Sequence, residues 1–116
     1  MEMRPSEIDL EMLEREALIC QALSDAKRLR ILHALASQER SVGDLASELG
    51  VSIANVSQHL GVLRSRGLVD SRREGTSVHY RLAYPETMEA CRALRSILAR
   101  QLADEGRLSE RLSHQD

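Results

Sequence analysis

Residues 51–67, VSIANVSQHLGVLRSRG, carry hydrogen-bonding side chains where a surface helix ordinarily carries Glu and Lys. Ile53, Val56, Leu60 and Leu63 recur at helical spacing and form one apolar stripe. Away from that stripe stand Asn55, Ser57, Gln58 and His59, and no residue between Val51 and Leu63 is charged. Amides, hydroxyls and imidazole donate and accept in fixed directions but act only at short range. On a capped helix they can match the donor and acceptor patterns of base edges in a DNA major groove, where charge alone would bind without discriminating. Ser52, Asn55, Gln58 and His59 are therefore candidates for reaching bases or adjacent phosphates, with Ser57 nearer the backbone. The plainer reading of such a face is simple solvation, and His59 has a second reading as a structural histidine holding a backbone carbonyl.

Arg64, Arg66, Arg72 and Arg73 flank this helix, as phosphate contacts that fix its register should. Thr76 and Ser77 follow at the tip of a hairpin. Arg81 reads equally well as the partner of an acid. Net charge is −2, which by itself does not favour a polyanionic partner, but its distribution is uneven. Residues 1–25 hold seven acids against two arginines, whereas residues 52–83 hold five arginines against two acids. One part of the molecule thus suits an anion and another does not.

Cys20 and Cys91 are the remaining groups with distinctive reactivity. They lie too far apart in sequence for a CxxC pair or a zinc-ribbon spacing. Both fall on apolar stripes, where Cys commonly acts as a small hydrophobe. The functional alternative is a thiol sensor: if the first and last helices meet at a dimer interface, oxidation, persulfide formation or a thiophilic ion could shift its geometry. Coupling of about 1 to 3 kcal/mol would change occupancy of a DNA site. His33 and His79 have no carboxylate or Cys at ligand spacing, so no metal site and no cofactor is expected. The sequence contains no Gly-rich phosphate loop, nucleophile elbow or paired carboxylates, and so gives no support to an enzyme.

The elements that must position these groups follow from capping and periodicity. Pro5 and Ser6 start a first helix reaching Leu23, with Leu10, Leu13, Ala17 and Cys20 at helical spacing. Ser24 caps a second helix over residues 25–36, with Asp25 in its first turn. Ser41 caps a short third helix ending at Gly50, and Asp44 stands three residues beyond the cap. Gly50 supplies the left-handed turn, and Ser52 caps the polar-faced helix, which ends at Gly67. Residues 68–73 and 78–82 alternate around EGTS and predict a two-stranded hairpin turning at Gly75. Pro85 opens a last helix with Met88, Cys91, Leu94, Leu98 and Leu102 on one side, broadened by Ile97.

Three helices, a tight turn into a fourth, a hairpin and a final helix give the order of a winged helix-turn-helix, a mainly α fold. At 116 residues the chain has room for one domain with an aliphatic core, since it contains two Tyr and no Phe or Trp. That domain is expected over residues 1–106, with a fraying tail over 107–116. No stretch has the length and apolarity of a signal peptide or membrane span, which predicts a cytoplasmic protein with reduced thiols.

The segments ALSDAKRLRILHALA, SVGDLASELGVSIANVSQHLGVLRSRGLV and RREGTSVHYRL resemble the ArsR/SmtB family of small dimeric bacterial repressors. The resemblance covers about residues 22–82. It implies that residues 52–66 are a recognition helix and the hairpin a wing. It also implies that the flanking helices pair across a dimer, and that two recognition helices address a pseudo-palindromic operator. A small effector would release the protein. The chain departs from the family's metal sensors: Ser41 and Gly43 stand where the arsenic and cadmium box has Cys, and the last helix lacks the His of the zinc and nickel pattern. SIANVSQHLGVLR is similar to the DNA-binding portion of relatives fused to a rhodanese domain, which hints at sulfur chemistry. The competing readings are a metal(loid) sensor with a non-standard site, a redox-active thiol protein, and a helical module that binds protein rather than DNA.

Overall fold

A computed structural model describes residue 4 and residues 8–106. Pro5 and Ser6, expected to start the first helix, and the tail 107–116 lie outside the described residues. In chain order the elements are α1 (Leu10–Ala22), α2 (Ala26–Ser37), β1 (Arg40–Ser41), α3 (Val42–Leu49), α4 (Ile53–Ser65), β2 (Val69–Glu74), β3 (Ser77–Leu82) and α5 (Glu86–Asp104). The chain divides into two compact units, Met1–Tyr84 and Pro85–Asp116. None of the described helices is long and apolar enough to cross a membrane.

The first unit is a winged helix-turn-helix. Its core is aliphatic, as the composition requires: Ile31, Leu32 and Leu35 from α2, Leu45 and Ala46 from α3, and Val56, Leu60 and Leu63 from α4, with Leu68 and Val69 closing the sheet side. Fully burying a side chain of this kind contributes about 1.5–3 kcal/mol, so these positions fix how the three helices pack. The stripe predicted for α4 departs from this at one end. Val56, Leu60 and Leu63 are fully buried, but Ile53, the first residue of α4, is 59% exposed.

The described start of α1 is capped by Asp9, whose carboxylate accepts from the Met12 N–H at 2.8 Å. One cap differs from the sequence expectation. Asp25, not Ser24, caps α2: its Oδ1 accepts from the N–H groups of Lys27 at 2.8 Å and Arg28 at 3.2 Å. A carboxylate is the stronger acceptor and also suits the positive end of the helix dipole. The Ser24 hydroxyl donates backwards instead, to the Gln21 carbonyl at 2.6 Å, closing the end of α1.

The turn between α3 and α4 follows the sequence closely. Ser41 Oγ accepts from the Asp44 N–H at 3.1 Å, and Ser52 Oγ accepts from the Asn55 N–H at 3.1 Å. Between them Gly50 adopts φ 69°, ψ 33°, and the N–H groups of Gly50 and Val51 both donate to the Ala46 carbonyl. That left-handed closure reverses the chain within a few residues.

The wing is larger than a hairpin. β2 and β3 pair antiparallel from Val69 with Leu82 to Glu74 with Ser77, leaving Gly75 and Thr76 as a two-residue turn with Gly75 at φ 63°. A third strand, β1, adds to the other edge of β3, pairing Arg40 with Tyr80 and Ser41 with His79. Two residues leave no period to read, so the sequence could not announce this strand.

In the second unit, α5 starts from Pro85 at its N-cap, with Glu86 and Glu89 in the first turn. Leu94, Ile97 and Leu98 are exposed along it, and Gly106 turns the chain at φ 70°.

Candidate nucleic-acid interface

The outward face of α4 is assembled from Ile53, Ala54, Ser57, Gln58, Gly61 and Arg64, all exposed. With 3.6 residues per turn Ala54, Ser57, Gln58 and Gly61 fall on one side, away from Val56, Leu60 and Leu63, with Ile53 and Arg64 on the border between the two. Ser57 and Gln58 stand in solvent as the sequence predicts. Ser52 is exposed too, although its Oγ already serves as the cap.

Asn55 is half-buried beside this face. Its carboxamide oxygen is buried and has no hydrogen-bond partner among the described residues. An orphaned buried acceptor costs about 1–3 kcal/mol.

His59 has a different position from the one its place in the sequence suggests. Its side chain is 14% exposed and lies against the start of α2, with Nδ1 3.3 Å from Arg28 Nη1 and 4.0 Å from Asp25 Oδ1. A guanidinium can only donate, so a hydrogen bond between Arg28 and His59 has Nδ1 as its acceptor. Arg28 also donates from Nε to the Ala22 carbonyl at 2.6 Å and from Nη2 to the Gln21 carbonyl at 3.3 Å. One guanidinium thereby joins the end of α1, the start of α2 and the middle of α4. Asp25 beside it is held below the usual carboxylate range, chiefly by the Arg28 backbone N–H. The sequence reading passed over Arg28; a lone Arg two residues into a helix carries no signal of what it will meet 31 residues later.

The flanking arginines divide into two groups. Arg64, Arg66 and Arg73 are exposed, and their guanidinium groups form no ion pair or hydrogen bond among the described residues. Arg72 is committed elsewhere: its Nη2 lies 2.6 Å from Glu39 and its Nη1 2.5 Å from Glu74. It is expected from sequence as a phosphate contact, but two carboxylates already neutralise it. The hydrogen bond from Arg72 is the main cause holding Glu39 and Glu74 below the usual range, and the two acids raise Arg72 in turn. Glu39 lies just before β1 and Glu74 at the end of β2, so the cluster ties the edges of the sheet together. Arg81 stands across from Asp70 in the strand register, 3.9 Å away, with both side chains largely exposed. Thr76 and Ser77 are exposed at the wing tip.

The thiols are in unlike surroundings. Cys20 is exposed on α1 and Cys91 is buried on α5. Among the described residues, no three His, Cys, Asp or Glu side chains converge in a way that could hold a metal ion.

Residues 25–71 match the sequence profile described as bacterial regulatory protein, arsR family. Over 83 residues, 71% of this chain and 73% of the other, the chain is 43% identical to the HTH-type transcriptional regulator Rv0081 of Mycobacterium tuberculosis. It is 41% identical over 91 residues to the transcriptional repressor SmtB homolog of Synechocystis, covering 78% of this chain and 69% of that one. The crystal structure of Rv0081 superposes with a TM-score of 0.74 at 38% identity, covering 84% of this chain and 98% of that one. The homodimeric winged helix-turn-helix DNA-binding domain Mb0332 from Mycobacterium bovis superposes with a TM-score of 0.68 at 34% identity, covering 88% and 95%.

Proposed function

The chain belongs to the ArsR family of bacterial regulatory proteins, a family of DNA-binding regulators rather than enzymes, and from that premise we propose that it is a homodimeric, sequence-specific transcriptional repressor of the cytoplasm. The observation that carries the proposal is α4 itself. It is capped by Ser52, set at an angle to α3 by Gly50, and packed through Val56, Leu60 and Leu63, while Ser57 and Gln58 face outward with Asn55 at their edge. Such a helix suits direct readout in the major groove, with Arg64, Arg66 and Arg73 on neighbouring phosphates and Thr76 and Ser77 at the wing. His59 and Arg72 act one step removed, the first by anchoring α4 to α2 and the second by bracing the wing.

Dimerisation accounts for apolar surface that a monomer leaves in water. Leu10, Met12, Leu13, Leu18 and Ile19 are exposed on α1, and Leu94, Ile97 and Leu98 on α5. A twofold dimer sets two copies of α4 about one DNA turn apart, which suits a pseudo-palindromic operator. Release by a small effector completes the proposal, with Cys20 and Cys91 as the thiols that sense it.

The test is a gel-shift titration of the full chain on its own upstream DNA. Specific binding is expected, weakened by added salt and at least tenfold by Asn55→Ala combined with Gln58→Ala. A chain that binds all duplexes alike, or a double variant that binds like the parent, refutes the proposal. The latter outcome favours the protein-binding module instead.

A further inference from the structure

Ile53 is an aliphatic side chain that the fold does not use. It is 59% exposed, whereas the other three members of its stripe, Val56, Leu60 and Leu63, are fully buried. Single exposed aliphatics are common on protein surfaces and need no explanation by themselves. This one occupies the first helical position of α4, directly after the capping Ser52, and is followed by Ala54, which is also exposed. The N-terminal residues of a recognition helix are those that meet base edges when it lies in the groove. An apolar pair is thus presented at the leading end of a face otherwise made of Ser52, Ser57 and Gln58.

Base-edge chemistry leaves one feature that such a pair can recognise. Every major-groove edge offers hydrogen-bonding atoms, which an aliphatic side chain cannot satisfy; only thymine adds a methyl group, at C5. Ile is β-branched and stiff at χ1, so little rotamer freedom is lost when it makes a contact. We propose that Ile53 reads thymine, packing on the C5-methyl group of one thymine in each operator half-site. The inference rests on the repressor reading above and names a base that the hydrogen-bonding residues alone do not specify.

The experiment begins with duplexes selected from a randomised pool by the full-length chain. Each thymine of a selected duplex is then replaced in turn by deoxyuridine, which removes the methyl group and keeps every hydrogen-bonding atom. For the parent chain, one thymine per half-site is expected to cost roughly fourfold in affinity when replaced, about the worth of one buried methyl group. With Ile53→Ala the thymine duplex binds more weakly and the deoxyuridine exchange at that position costs less than about twofold. Thermal melting of Ile53→Ala matches the parent, because the side chain is exposed. If no thymine shows a methyl effect in the parent, or if the effect persists at full size in Ile53→Ala, the thymine assignment is wrong while the repressor reading stands. If the chain selects no duplex at all, the repressor reading fails and carries this inference with it.

Discussion

Replacing Arg73 and Arg72 separately gives two neighbouring cations on one strand unequal expected effects on the salt dependence of binding. Each phosphate neutralised on duplex DNA contributes about 0.9 to the fall of log affinity with log salt. Arg64, Arg66 and Arg73 are uncommitted in each protomer, and Arg72 is held by Glu39 and Glu74. Six contacts in a dimer give a slope of about −5.4, or roughly a 2,000-fold weakening between about 50 and 200 mM salt. Arg73→Ala removes two contacts per dimer, so the slope falls to about −3.6 and the weakening to roughly 150-fold. Arg72→Ala should leave the slope where it was, because its charge is already cancelled within the sheet. Its effect on affinity comes instead from a looser wing and from two carboxylates set free beside the DNA. Fluorescence anisotropy with a labelled operator duplex, titrated at four or five salt concentrations, measures both slopes. Equal decrements for the two variants, or a larger one for Arg72→Ala, would show that the ion-pair cluster opens on DNA and would refute this accounting.

Glu39 and Glu74 should titrate below the ordinary glutamate value of 4.5, and Arg72→Ala should return both towards it, as read from carboxyl carbon shifts in NMR. A carboxylate lowered by folding stabilises the folded state fully above its unfolded value and loses that contribution as pH falls through the folded one, so the wing brace weakens only in acid. Gly50→Ala should cost about 1–2 kcal/mol in urea denaturation through backbone strain at positive φ, because a Cβ there meets no neighbouring atom; no loss would mean that the turn relaxes. Alkylation of the folded protein should modify exposed Cys20 faster than buried Cys91. With both thiols replaced by Ser, operator affinity should survive while response to a thiol-directed effector is lost. Retained response would remove the two cysteines from the sensing proposal.

Local chemistry made the bend and its helix legible before any coordinates. Ser41, Gly50 and Ser52 act on groups within five residues of themselves, and a cap or left-handed turn is decided by such near neighbours. The 3.6-residue period announced which side of α4 packs, and the EGTS turn announced β2 and β3. Periodicity assigns a side of a helix but not how far along the helix its packing partners reach, so it included Ile53 in a stripe that the structure leaves open at that end. Arg72 reads as a free cation until β1 brings Glu39 beside it, 33 residues away in sequence. His59 reads as part of the groove face until Arg28 arrives from α2. The sequence therefore determined the elements, their caps and the polar character of α4, because those depend on contacts within a turn or two of the chain. Only the tertiary structure decided which of those polar and charged groups remain unspent, because a distant partner consumes a charge or a hydrogen bond only once folding has brought it within reach.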